Sequence, residues 1–124
     1  MPAVVETSPS GANWIYAAAS GGIADTADVT LAASPGAGMR NYLCALQIIN
    51  TDATVPTEVV IKDGSTVLWR GFAPHTVAAV TQVSMVSIVF TVAIRQPSTA
   101  TALTAACITN SSQTYINAQG YTGA

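Results

Sequence analysis

The chain has 124 residues, half of them hydrophobic and only 8% charged against roughly 25% in an ordinary soluble domain, so it can fill one core but can spread little charge over its surface. Four Lys or Arg against six Asp or Glu give a net charge of −2, which leaves no basic patch to neutralise phosphates and argues against nucleic-acid binding. One domain over residues 1–124 is expected, with extended segments at about 1–12 and 118–124.

At the N-terminus, MPAVVETSPSGANW has no basic start and meets Glu6 early, so it does not read as a secretory signal, and the chain is expected to stay in the cytoplasm where it is made. NWIYAAA (13–19) and ADVTLAA (27–33) are short extended candidates separated by Gly21-Gly22. RNYLCALQIIN (40–50) is the clearest strand, with Tyr42, Cys44, Leu46 and Ile48 on one face and Leu43, Ala45, Gln47 and Ile49 on the other, where Gln47 meets water. The 19-residue run TVAAVTQVSMVSIVFTVAI (76–94) is long enough to cross a membrane. Its hydroxyl residues and β-branched content speak against a spanning helix. From Ser84 onward it alternates, with Val86, Ile88, Phe90, Val92 and Ile94 opposite Met85, Ser87, Val89, Thr91, Ala93 and Arg95, which is a strand signature. ALTAACIT (102–109) and QTYINAQG (113–120) complete eight or nine strands without a helical pattern. The fold class is therefore all-β, an antiparallel β-sandwich, with a jelly roll the first topology and an immunoglobulin-like sandwich the second.

Between the third strand and the long run lies TEVVIKDGSTVLWRG (57–71), whose Asp63-Gly64 suits a tight hairpin. A two-residue Asp63-Gly64 loop would set Lys62 against Ser65, Ile61 against Thr66 and Glu58 against Trp69. Glu58, Val60, Lys62 and Trp69 would then share an outward face, with Trp69 placed for contact. The expected core includes Leu46, Ile48, Val59, Ile61, Leu68, Ile88, Phe90 and Val92.

No catalytic constellation emerges. His75 stands without a Cys or second His nearby, and GAGMRN (36–41) has Asn41 where a dinucleotide loop has its third glycine. Asp25 with Asp28, and Asp52 with Glu58, read as solvated turn carboxylates, and Asn110-Ser111-Ser112 as a turn. Cys44 and Cys107 have no zinc or redox spacing; they read as reduced thiols, with one inter-strand disulfide as the alternative. No cofactor and no metal is expected. Arg40, Arg70 and Arg95 each flank an apolar strand, where a guanidinium suits a partner's carboxylate or carbonyl groups.

Taken together, GANWIYAAASGGIADTADVTLAA, RNYLCALQIIN, TEVVIKDGSTVLWRG and TYINAQGYTGA resemble the capsid decoration, or cement, proteins of tailed phages. The resemblance implies a β-sandwich, often of jelly-roll type, without enzymatic activity. It would bind the outer surface of the virion, contact the major capsid protein, and contact itself as a dimer or trimer. Trp69 and Arg70 are the first candidate contact residues, then Tyr121, then Trp14. The alternative is a fibre-tip or receptor module stacking sugars on Trp14, Trp69 and Tyr121.

Overall fold

A computed structural model describes residues 12–77 and 85–124. The N-terminal segment expected at 1–12, apart from Ala12, and most of the TVAAVT stretch lie outside the described residues.

Among the described residues eight strands follow in order: β1 (Asn13–Tyr16), β2 (Val29–Ala32), β3 (Arg40–Asn50), β4 (Thr57–Asp63), β5 (Thr66–Ala73), β6 (Met85–Arg95), β7 (Leu103–Cys107) and β8 (Thr114–Gly123). They form two antiparallel four-stranded sheets of order β1-β8-β3-β6 and β2-β7-β4-β5. The pairing is nested: β1 with β8, β2 with β7, β3 with β6 and β4 with β5. Wrapping that antiparallel ribbon sets β8 beside β3 and β7 beside β4, which is the jelly-roll topology.

The core lies between the sheets. Leu43, Leu46, Ile48 and Ile116 from one face Val59, Ile61, Leu103, Ala105 and Cys107 from the other, none more than 2% exposed. Burial pushes the Cys107 thiol above its usual pKa, against weaker opposing bonds from Thr114 and Ser112. Cys44 lies in the opposite sheet, and the two cysteines form no disulfide.

Two strands depart from simple alternation. In β3 the register shifts between Leu43 and Ala45, which face the adjacent Gly120 and Gln119 of β8, so Cys44 is an extra residue against that neighbour. Leu43 thereby joins Leu46 and Ile48 on the core face, and Tyr42 turns outward. In β6 the alternation holds through Val86 and Phe90, and Ile94 again packs on the core. Between Val89 and Ile94 the strand leaves the ladder, and Val92, expected in the core, is 83% exposed.

The hairpin register also differs from expectation. Asp63 pairs with Thr66, so the loop is Gly64-Ser65, and Gly64 has φ +59°, as the first central residue of a type II′ turn requires. A bulge follows: Lys62 faces Val67 but Ile61 faces Trp69, making Leu68 the extra residue. Trp69 thus shares the inner face with Ile61, and both Leu68 and Trp69 pack against the core. Residues 118–123, expected as part of an extended tail, are the second half of β8, paired with β3 and, over 118–121, with β1 as well.

Candidate functional face

The outer surface of the β1-β8-β3-β6 sheet presents side chains in rows fixed by register. One row runs Ile15, Gln119, Ala45, Val89 across all four strands. Ile15 is 77% and Val89 81% exposed, a large apolar exposure for two residues at opposite edges of one sheet. Between them a shallow groove of ≈ 290 Å³ is lined by Ile15, Ala45, Gln47, Ser87, Val89 and Gln119, among others. Beside it Asn117 Nδ2 donates to Gln47 Oε1 at 3.4 Å, while Asn117 Oδ1 accepts from the Ala18 amide at 2.9 Å. Met85 and Val92 add exposed apolar surface on β6.

At the far end of this face Tyr42 and Tyr121 stack, with centroids 4.7 Å apart and planes 6° from parallel. The Tyr42 hydroxyl donates to the Ala124 carbonyl. Burial, reinforced by Cys44 and Tyr42, raises the Tyr121 phenol above its usual pKa, so it stays neutral through the physiological range. Among the described residues, charge reaches this face only near that end, through Arg40 and Arg95. The Arg40 Nε donates to the Pro97 carbonyl at 3.1 Å.

The opposite sheet's outer surface is different in kind. Arg70 pairs with Glu58 at 2.8 Å and Lys62 with Asp28 at 2.6 Å, so that face carries two ion pairs beside the exposed Phe72.

The four contact residues read from the sequence therefore do not form one site. Trp14 and Trp69 turn toward the core, each ring lying over a glycine of the same sheet, Gly120 and Gly71. Trp14 Nε1 also donates to the Tyr121 carbonyl at 3.3 Å. Arg70 is held by Glu58 on one outer face, and Tyr121 stacks on Tyr42 on the other. Ile15 and Val89 were not singled out by sequence reasoning. The available signal was Val89 sharing the hydroxyl-rich side of β6 with Ser87 and Thr91, an apolar residue on a face expected to meet water. Of the acidic residues expected as solvated turn carboxylates, Asp25 and Asp52 accept from turn amides, those of Thr54 and Val55 lowering the Asp52 pKa, whereas Glu58 lies in β4 and Asp28 and Glu58 are the anions of the two ion pairs.

The sequence matches no protein-family model and no curated protein. Two solved structures are similar in shape. One is the PRD1 vertex protein P5, at TM-score 0.41 and 14% identity over 89% of this chain and 71% of that one. The other is the virus-like particle of the extra small virus of the giant freshwater prawn Macrobrachium rosenbergii, at TM-score 0.41 and 12% identity over 100% of this chain and 86% of that one.

Proposed function

We propose that the protein is a non-enzymatic structural component of a phage virion that docks on the outer surface of the capsid and braces neighbouring major capsid subunits. The observation that carries this reading is the uncharged row from Ile15 to Val89 on an otherwise well-packed sandwich. Exposed apolar surface that carries no charge marks an interaction site, whereas the exposed Val67 and Phe72 of the opposite sheet stand among two ion pairs. Without clustered charge, the contact would rest on apolar burial and neutral hydrogen bonds from Gln47, Asn117 and Gln119. The phage cement resemblance of the sequence supports the same partner. Self-association as a dimer or trimer belongs to the proposal, since closed symmetry lets one patch serve several times.

The fibre-tip reading is less well supported by the geometry. A sugar-stacking site needs an open aromatic face, and the two indoles are turned inward while Tyr121 is already stacked on Tyr42.

The test is co-sedimentation with capsids of the protein's own phage, using wild type, Ile15→Asp, Val89→Asp and Phe72→Asp. Occupancy should fall at least tenfold for the first two and hold for Phe72→Asp on the opposite face. It should weaken only slightly with salt, because screening acts mainly on exposed charges. Full binding by both Ile15→Asp and Val89→Asp would refute this face as the contact.

A further inference from the structure

Two side-chain amides at one end of the sandwich, Asn41 and Gln96, are completely buried. Asn41 Nδ2 donates to the carbonyls of Ala33 at 3.1 Å and Thr101 at 3.3 Å. Gln96 Nε2 donates to Asp63 Oδ1 at 2.9 Å and to the Ala102 carbonyl at 3.0 Å. Both NH₂ groups are thus fully used, which fixes the orientation of each amide: flipping either one would turn an oxygen toward acceptors. Yet among the described residues Asn41 Oδ1 and Gln96 Oε1 accept no hydrogen bond. Buried acceptors are almost always paired.

The other end of β3 shows the satisfied version. Asn50, equally buried, donates to Val55 and Ala73 while its Oδ1 accepts from the amides of Asp52 and Gln113. Among the described residues nothing does this for Asn41 and Gln96. The two amides are neighbours: the Gln96 backbone N–H donates to the Asn41 carbonyl at 2.9 Å, and their NH₂ groups reach the consecutive carbonyls of Thr101 and Ala102.

We propose that one ordered water molecule is held inside the sandwich between Asn41 and Gln96, donating its two protons to Asn41 Oδ1 and Gln96 Oε1. Water suits the site because it supplies two donors from one small body in a polar, enclosed place. A bare cation suits it less. Hard cations take about six or more oxygen ligands, and the nearby carboxylate of Asp63 is already occupied by Gln96 Nε2 and by the Ser98 amide and hydroxyl. The water completes a cluster that joins β3, the end of β4 and the loop after β6, and so ties the two sheets at this end. The Ala100 amide in that loop donates to the Met39 carbonyl at 2.9 Å, which ties the loop to the residue before β3 as well.

The experiment is water-selective NMR on the intact labelled protein. Cross-peaks from water to the side-chain NH₂ protons of both Asn41 and Gln96 are expected, with NOE and ROE of opposite sign, as a long-lived bound water gives. They should persist in Thr101→Val, which removes a hydroxyl that could relay exchange. Their absence at either amide, or their loss in Thr101→Val, would overturn the shared water. In parallel, thermal midpoints in sodium, potassium and choline chloride at equal ionic strength should coincide. A midpoint raised by one cation alone would replace the water with that cation.

Discussion

At the scale of single residues, the sandwich depends on places where a side chain is missing. The Trp69 indole lies so close over Gly71 that a methyl there would sit 2.1 Å from the ring. Gly71→Ala should therefore cost about 1–3 kcal/mol through overpacking, measured by urea unfolding. At Gly120 the same methyl would meet the Tyr42 carbonyl as well as the Trp14 ring, and backbone cannot yield as a side chain can, so Gly120→Ala should be the more damaging of the two. Val92→Ala, at a position expected from alternation to be core, should change stability by less than about 0.5 kcal/mol. Asp63 gives a pH signature. Burial alone would raise its carboxyl, but the hydrogen bonds from Gln96 and from the Ser98 hydroxyl and amide outweigh this and hold it below its ordinary 3.8. A carboxyl with a depressed folded value contributes stability that is complete above the unfolded value and is lost as pH falls through the folded one. Unfolding titrations should show stability falling below about pH 4, with a shallower fall in Asp63→Asn.

At the scale of elements, β3 was legible to its end residues because eleven residues of apolar pattern lie between turn signals. Its faces were legible only in part. A bulge adds one residue without changing composition, so the alternation read through Cys44 put Tyr42 on the wrong side. The hairpin shows the same physics twice. Asp63-Gly64 promised a turn, and a turn is there, but it is Gly64-Ser65 that fills it, and Leu68 adds a second shift. Together these carried Trp69 from the outer face to the inner one. Both devices depend on local twist and packing against the facing sheet, which period-two reading cannot see. The turn itself can be tested cleanly. A Cβ at Gly64 would meet nothing within 4 Å, so Gly64→Ala measures the left-handed backbone alone and should cost about 1–2 kcal/mol.

At the scale of the whole molecule, the all-β class followed from alternation and turn spacing, while pattern alone could not separate the jelly roll, placed first, from the immunoglobulin-like sandwich. The candidate face was the least legible feature. Its central row joins residues 15, 119, 45 and 89, which become neighbours only through the wrapped topology. Large aromatics drew attention as contact anchors, while the exposed residues that distinguish the face are one isoleucine and one valine. Under the proposed self-association the protein is expected to scatter light as a dimer or trimer, and Ile15→Asp and Val89→Asp should unfold at the wild-type midpoint, since both residues are mostly solvent-exposed.

The placement of β8 has a consequence for how the protein comes into being. Among the described strands β8 is interior, flanked by β1 and β3, so β1 has no ladder partner there until residues 118–121 have been synthesised. The nested pairing orders the events: the β4–β5 hairpin closes a two-residue loop, whereas Asn13 must find Tyr121. Loop-closure entropy favours the first and delays the last, and sheets dominated by such distant pairs fold in about milliseconds to seconds. A nascent chain released after Gln119 should keep its innermost hairpin but fail to seat β1, leaving the Trp14 ring without Gly120 beneath it and readily quenched by acrylamide.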